Sequence, residues 1–293
     1  MIEHNSTTWI EVVKLFFSSK TLHNLTPGVL TAGTYTLALV YLNNNYINDK
    51  MIIPSFIYSL MGIVLGLLLV FRTNTSYDRW WEGRRLLGAL LNTSRNLALK
   101  FNAYLPNEDK ENRDFFAKTI INYSYALKEH LRSGVRADEI LPLDKTYTTE
   151  FLMNTSHVPN RIASIMYQKV NDLYEKKTFT VEQFMMLDKQ MEALTDILGG
   201  CERIKKSPIP SAYKIHLMKF IFLFIFILPF GFIHEIHYWS VPIVMIIFYA
   251  FVGLDFIAGE IEEPFGLDAN DLPTDAICTS VRTNVFEIMK HKI

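Results

Sequence analysis

Uncharged apolar runs alternate with long polar stretches along this chain. The clearest run extends from Ile52 to Phe71 and is interrupted only by Ser, Gly and, near its start, Pro54. About 20 uncharged residues are enough for a helix to cross a bilayer. Neither a proline nor a turn cluster follows Phe71, and the next segment, Arg72 to Arg85, is basic and aromatic. The pattern therefore predicts one helix that crosses the membrane and continues into water.

Three other apolar runs lie at about residues 25–42, 215–233 and 241–257. Lys50 is the only lysine or arginine in the two short loops between neighbouring runs, whereas the opposite flanks are rich in both. Because positive charge concentrates on the cytosolic side, we predict that both termini and the long middle segment are cytosolic. We expect the chain in the plasma membrane, which is the inner membrane in a bacterium.

The predicted fold class is an all-α integral membrane protein with four transmembrane helices per subunit and a cytosolic helical domain. Its expected parts are an amphipathic N-terminal lead at 1–24, transmembrane helices 1 and 2 at 25–71, the cytosolic helical domain at 72–210, transmembrane helices 3 and 4 at 211–258, and a cytosolic C-terminal segment at 259–293. The lead contains an apolar patch that is too short to span and suits the membrane interface.

Helical signals recur through the cytosolic segment. Helices are predicted at about 107–131, with Asn107 as the cap, and at about 160–174. Thr180 and Gln183 have the spacing of a capping box and open a third helix.

Apolar residues recur at helical period after this capping box, and Gly199-Gly200 predicts where the third helix ends. The apolar stripe favours the core of a helical bundle over a binding face. No pattern of alternating strands and helices, as an α/β enzyme would need, is present in the sequence.

Composition agrees with membrane segments attached to a sizeable polar domain. The chain is 49% hydrophobic, and its 20% of charged residues is below the roughly 25% usual for soluble domains. The formal net charge of -1 gives no basic excess, so we expect no nucleic-acid partner. Cys201 and Cys278 lie in segments predicted to be cytosolic, which argues against a disulfide.

One face of the run that ends at Phe71 carries a row of apolar side chains. Ile63, Leu67 and Phe71 are spaced i, i+4, i+8 and stack along one line of a helix. Gly62 and Gly66 beside them form a pair of small residues that lets helices approach closely. The residues alone leave two interpretations open. One is lipid contact or helix packing, and the other is a narrow hydrophobic constriction that gates ions by dewetting.

An acidic segment, Glu260 to Asp275, follows the fourth apolar run. Its carboxylates and its amide are the hard oxygen ligands that calcium requires, although their spacing is not that of an EF-hand. The same residues also suit a turn in which Asp and Asn side chains cap backbone groups. Both interpretations stay open on the residues alone.

Two motifs together resemble the bestrophin channel family. They are Arg79-Trp80-Trp81, after the second run, and the Glu263-Pro264-Phe265-Gly266 segment after the fourth. The four runs and the helical middle extend the resemblance over nearly the whole chain. Members of that family are pentameric channels with one central pore. The resemblance therefore implies a homopentamer in membrane lipid that conducts small monovalent ions.

The resemblance also assigns residues by position. Ile63, Leu67 and Phe71 match the family's three-ring hydrophobic neck, and Ile209 matches a second constriction at the cytosolic exit. Chloride or another anion is then the default ion. Monovalent cations are the competing expectation, because the uncharged neck does not decide the sign of the ion.

The acidic segment resembles only part of the pattern in animal members. Asp268 and Asp271 match two side-chain ligands of their calcium clasp, whereas Leu267, Ala269 and Asn270 interrupt the acidic run. The chain is thus similar to the compact prokaryotic branch of the family. We expect no definite cofactor, and calcium stays an open alternative.

Two other functions compete with a passive channel. A metal-dependent membrane enzyme would need ligands that converge near the bilayer, whereas His234 and His237 fall on the opposite side from Asp268. A secondary transporter usually has ionisable groups at the membrane midplane. Asp255, the one acid within a predicted span, lies near its cytosolic end and is expected to pair with a basic residue or water. The sequence therefore favours an ion channel over an enzyme.

Overall fold

The computed structural model describes residues 20–47 and 54–290, and the regular structure of these residues is entirely helical. They divide into two compact units. One, called here the apolar unit, comprises the described chain up to Arg79 together with Pro208–Glu263. The other, the polar unit, comprises Trp80–Ser207 and the described chain from Pro264 onward. Most of the predicted N-terminal lead and the loop at 48–53 lie outside the described residues.

Five helices contribute to the apolar unit. They are α1 (Lys20–Leu42), which ends in a π-helical turn at Asn43–Ile47, the first part of α2 (Ser55–Tyr104), α7 (Ser211–Ile227), α8 (Pro229–Ile236) and α9 (Ser240–Glu262). A short 3-10 turn, His237–Trp239, joins α8 to α9, and His237 has a φ of 46° there.

Close helix packing holds the apolar unit together. A Cβ atom added at Gly28 of α1 would lie 2.7 Å from the ring of Phe248 on α9, so the absence of a side chain permits this approach. Phe224 of α7 packs edge-on against Phe251 of α9, with ring centroids 5.5 Å apart. The N–H of Ile209, two residues before α7, bonds Glu262 at the end of α9. Because Phe224 further along α7 meets Phe251 earlier in α9, the two helices run antiparallel.

Three helical stretches among the described residues are long and apolar enough to cross a bilayer: Thr21–Tyr46, Phe56–Tyr104 and Ser211–Glu262. The third stretch contains α7, α8 and α9, and therefore two of the four predicted runs. Helix α2 is continuous from Ser55 to Tyr104. This confirms the prediction that one helix runs on past Phe71 without a break.

The polar unit contains the rest of α2 and five more helices. These are α3 (Lys110–Leu131), α4 (Thr149–Met153), α5 (Val158–Glu175), α6 (Val181–Lys206) and α10 (Thr274–Lys290), with a 3-10 turn at Ala137–Glu139. Its core includes Phe101 and Phe116, whose rings stack 3.9 Å apart. The buried hydroxyl of Tyr123 donates to the carbonyl of Leu194, which joins α3 to α6.

The capping predictions were partly right. Thr180 and Gln183 form the expected capping box at the start of α6. The prediction of Asn107 as a cap was wrong. Asp109 caps α3 instead, because its carboxylate accepts the backbone N–H of Asn112 at 3.1 Å.

The predicted end of α6 at Gly199-Gly200 was also wrong. The helix continues to Lys206, because neither glycine adopts the positive φ that ends a helix. Gly200 serves close packing instead, since a Cβ atom there would lie 3.0 Å from the side chain of Leu86 on α2.

Both cysteines are free and buried in the polar unit, in agreement with the prediction of no disulfide. Burial raises the pKa of the Cys201 thiol to about 12, and nearby Glu82 and Glu202 add to the effect. Burial likewise raises the pKa of Cys278 to about 12. At neutral pH both thiols are therefore protonated and poor nucleophiles.

Candidate functional site

Helix α2 has two opposite faces within the apolar unit. Leu65 and Leu69 are buried against the neighbouring helices. Ile63, Leu67 and Phe71 lie on the other face, with 70%, 56% and 57% of their surface exposed in the single chain. The three side chains of the predicted neck thus form one apolar row that the described residues of their own subunit leave largely exposed.

The small residues beside this row have different surroundings. A Cβ atom at Gly62 would lie 3.5 Å from Phe224, so this glycine faces α7 at van der Waals distance. Apart from the surrounding backbone of α2, no atom of the described residues lies within 4 Å of the corresponding position at Gly66. Among the described residues of one subunit, the helix approach expected at the two glycines therefore occurs at Gly62, where α2 meets α7.

A buried ion cluster lies directly after the apolar row. Arg72 is almost fully buried, and its Nε lies 2.6 Å from Oδ1 of Asp255 on α9. Its Nη2 lies 3.4 Å from Oε2 of Glu262 at the end of the same helix. The basic partner expected for Asp255 is thus Arg72. A paired carboxylate at this position differs from the exchangeable midplane acid of a transporter.

Glu262 connects three segments of the apolar unit. Its Oε1 accepts the backbone N–H of Ile209 at 3.1 Å, while Oε2 faces Arg72. Its backbone carbonyl accepts Nε–H of Arg79 at 3.0 Å. One residue therefore fixes the position of the predicted exit constriction and of the turns of α2 that follow the predicted neck.

Ile209 is anchored through its backbone. Pro208 and Pro210 on either side have no N–H to donate. The N–H of Ile209 is consequently the single backbone donor of this tripeptide, and Glu262 accepts it. The side chain of Ile209 is half-buried and takes no part in that bond.

The acidic segment forms a turn after α9. Oδ2 of buried Asp271 accepts the backbone N–H of exposed Asp268 at 2.6 Å, and the N–H of Asp271 donates to the carbonyl of Asp268 at 3.1 Å. Trp80 donates its indole N–H to the carbonyl of Asn270 at 2.9 Å. One carboxylate of the predicted clasp is thus engaged with backbone, as the turn interpretation expects. The role of the pair in calcium binding stays a prediction.

Two groups of side chains in the described part of the chain have donor atoms close enough to hold a metal ion. Neither includes Asp268 or Asp271. The first group is Glu129, Glu139 and Asp275, and the ammonium of Lys128 lies among them at 3.0, 2.7 and 2.8 Å. A protein cation therefore already occupies the position that a metal would take.

Arg132 extends this first group. It bonds Asp275 at 2.7 Å and also contacts Glu129 at 3.3 Å. Hydrogen bonding from Arg132 is the main cause that lowers the pKa of Asp275 to about 2, and Lys128 contributes, while burial opposes the shift. The cluster is best described as an ion network that ties α10 to α3.

The second group consists of His130, His157 and Glu202. Nε2 of His130 and Nε2 of His157 lie 2.7 and 2.8 Å from the same oxygen, Oε1 of Glu202. Burial raises the pKa of Glu202, but hydrogen bonds from His157, Lys206 and His130 outweigh it and lower that pKa to about 2. Glu202 is therefore a carboxylate at neutral pH.

Sequence reasoning missed both Glu262 and this histidine pair. In the sequence, Arg72 is one residue of the positive flank of a predicted membrane span, and Glu262 is one acid among several. His130, His157 and Glu202 are separated by 27 and 45 residues, and no short motif joins them. Only the tertiary fold brings them together.

The comparisons with known proteins agree with one another. A model of the family described as bacterial/fungal bestrophin protein matches residues 1–287. The chain is 36% identical over 230 residues to a voltage-dependent anion channel-forming protein of Nostoc sp., a match that covers 78% of this chain and 75% of that protein. It is 28% identical over 288 residues to the voltage-dependent anion channel-forming protein YneE of Escherichia coli, covering 98% and 94%.

Solved structures show the same similarity. The crystal structure of a bacterial bestrophin homologue from Klebsiella pneumoniae matches with a TM-score of 0.84 and 28% sequence identity. The match covers 90% of this chain and 98% of that one.

Proposed function

The chain belongs to the bacterial and fungal bestrophin family, and from this we propose that it forms a membrane channel that conducts small monovalent anions such as chloride. The names of its relatives from Nostoc and Escherichia coli, which call them anion channel-forming proteins, support this choice of ion. Monovalent cations are the alternative that the experiment below distinguishes.

The observation that carries the proposal is the exposed apolar row on α2. Ile63, Leu67 and Phe71 face away from the buried side of the helix, where Leu65 and Leu69 pack. When copies of the chain assemble around one axis, a row on each subunit becomes a set of stacked rings. Rings of apolar side chains make a narrow, poorly hydrated neck, which ions enter only at a large cost in hydration.

We further propose that five copies surround the pore, with four membrane spans in each and both termini in the cytosol. The antiparallel arrangement of α7 and α9 supports two spans within the stretch Ser211–Glu262. Ile209 would then form the exit constriction. Native mass spectrometry of the purified protein checks the stoichiometry, and five chains of 34.0 kDa are expected in the main species.

Ion selectivity is tested by the reversal potential in planar bilayers under a KCl gradient, repeated with NaCl. An anion channel gives a potential near the chloride equilibrium value in both salts. A potential near the cation equilibrium value would contradict anion conduction while leaving a channel in place. No current in either salt, from both the natural chain and the neck variant described next, would contradict the channel.

The neck is tested by changing Ile63, Leu67 and Phe71 together to alanine. Shorter side chains widen and hydrate the constriction, so single-channel conductance or open probability should rise. The chain offers a matched control in Ile246, Leu254 and Phe222, which are the same residue types, are also exposed in the apolar unit and lie on α7 and α9. Their alanine variant should leave the current unchanged. Unchanged single-channel records from the neck variant would remove these three residues from the pore.

The calcium clasp is tested separately on metal-free protein. A cation that binds only the folded state raises thermal stability, so millimolar calcium should raise the unfolding temperature if Asp268 and Asp271 are ligands. Asp268→Asn is the informative variant, because Asp268 is exposed and its carboxylate can be changed with little effect on packing. The absence of a calcium-dependent shift in the natural chain would exclude the clasp.

A further inference from the structure

Three helices of the polar unit each bring one metal-type ligand to a common point. His130 lies in the last turn of α3, His157 precedes α5 as its cap, and Glu202 lies near the end of α6. Their donor atoms all lie within 4.8 Å of one another. The imidazole rings are 4.4 Å apart between centroids, and both direct Nε2 at the same carboxylate oxygen.

The hydrogen bonds of the cluster indicate where its protons lie. A carboxylate only accepts, so Nε2 of both histidines must carry hydrogen. Nδ1 of His157 accepts the backbone N–H of Asn160 at 3.3 Å and therefore carries none. The Nε2 lone pair of His157 becomes available to a metal when the proton on Nε2 moves to Nδ1 or to solvent.

We propose that His130, His157 and Glu202 form a binding site for a divalent transition metal, with Zn²⁺ as the best-suited ion. Two imidazoles and one carboxylate are a known ligand set of zinc sites with three protein ligands, in which water takes the fourth position. The cluster is half-buried, so an ion can reach it from solvent. This site is independent of the pore residues and of the acidic turn after α9.

Metal binding requires the three ligand atoms to adjust their separations from one another. Ligand atoms of a tetrahedral zinc site are separated by about 3.3 Å, since each bond is about 2.0–2.1 Å long. The present separations of 2.7 and 2.8 Å must therefore open by about half an ångström. Lys206, whose Nζ lies 3.1 Å from Oε2 of Glu202, is strongly exposed and is free to move into solvent.

Binding also has a consequence for α5. With the metal on Nε2 of His157, the proton of the neutral imidazole resides on Nδ1. Nδ1 can then no longer accept the backbone N–H of Asn160. Zinc should therefore increase hydrogen exchange at this amide while it stabilises the unit as a whole.

The test uses the full chain, purified in detergent and freed of metal, and titrates it with Zn²⁺ or Co²⁺. We expect one equivalent per chain, a rise in thermal unfolding temperature, and a Co²⁺ visible spectrum of nitrogen and oxygen ligands. His157→Asn should weaken metal binding by at least about tenfold. Even the mutation of residues that only hydrogen-bond to metal ligands lowers affinity by that factor. Asparagine caps helices well, so this variant keeps α5 intact.

Two further variants sharpen the test. Lys206→Gln removes the cation that competes for Glu202 and should raise metal affinity, which a variant that merely disturbs folding would not do. His23→Gln, at an exposed histidine on α1, is the control and should bind as the natural chain does.

Three results would overturn the proposal. One is the absence of a zinc-dependent thermal shift in the natural chain. Another is equal affinity in His157→Asn and the natural chain. The third is an intense thiolate-to-cobalt absorption band, which would assign the metal to Cys201 or Cys278. None of these outcomes bears on conduction, so the site and the channel can fail separately.

Discussion

Arg72 in the apolar unit and Lys128 in the polar unit are both almost fully removed from water, and their carboxylate partners differ. Arg72 in the apolar unit has two carboxylate partners, and the more exposed of them, Asp255, has 11% of its side chain exposed. Lys128 in the polar unit has three, and its partner Asp275 is 62% exposed. Arg132 also supports the second cluster. Both cations are similarly buried, so the burial of their carboxylate partners decides how much folding stability is lost when the cation is removed.

The largest effect is expected from Arg72→Met. It leaves the carboxylates of Asp255 and Glu262 buried without a cation, and breaking a buried pair costs about 3–5 kcal/mol. Thermal unfolding of the purified protein measures the loss. A variant as stable as the natural chain would show that these acids are neutral or reach water, and would remove the contrast between the clusters.

Lys128→Met is the corresponding change in the polar unit and should cost less, about 2–3 kcal/mol. Arg132 still pairs with Glu129 and Asp275 after the change, and Asp275 is open to solvent. The same unfolding experiment compares the two variants directly. If Lys128→Met lowered the free energy of unfolding more than Arg72→Met does, the burial of the carboxylate partners would not explain the difference between the clusters.

Glu262→Gln separates charge from hydrogen bonding in the apolar unit. The amide oxygen can still accept the N–H of Ile209, while Arg72 keeps Asp255 as its ion pair. We expect a loss of about 1–2 kcal/mol and little change in single-channel conductance. Glu262→Leu removes the acceptor as well and should alter conductance. Equal currents from the two variants would show that the anchor of Ile209 does not affect permeation.

The smallest effect is expected from Asp275→Asn, at most about 1 kcal/mol, because the side chain is exposed. Its folded-state pKa lies below its ordinary value. The stabilisation is therefore fully present above pH 3.8 and is lost as the pH falls toward about 2. The difference in unfolding temperature between this variant and the natural chain should shrink over that window. A difference that grows on acidification would contradict the ion pair.

Local signals in the sequence predicted much of the fold. The uncharged run up to Phe71 predicted a continuous helix, and the spacing of Thr180 and Gln183 predicted a helix start, because both depend on neighbours along the chain. The prediction from Gly199-Gly200 was wrong, since a glycine of this kind ends a helix only where the backbone takes a positive φ. In α6 the backbone stays helical, and Gly200 packs closely against Leu86, which is more than one hundred residues away along the chain.

The residues of the candidate site also divide into those that local sequence signals predict and those that only the tertiary structure shows. The row of Ile63, Leu67 and Phe71 follows from helical period, although its assignment to a neck depends on the resemblance. The pairing of Asp255 with a basic residue could be expected from the cost of a bare charge in a membrane. The role of Glu262 could not, because it depends on an N–H that is 53 residues distant.

The anchoring of residue 209 through its backbone also bears on how this protein can evolve. Glu262 binds the nitrogen of that residue, and the prolines on both sides keep the segment from joining a helix. Any amino acid other than proline could donate the same bond. The identity of the displayed side chain is therefore decoupled from the scaffold that displays it. If Ile209 forms the proposed exit constriction, a substitution at this position should change permeation while the hydrogen bond to Glu262 is kept.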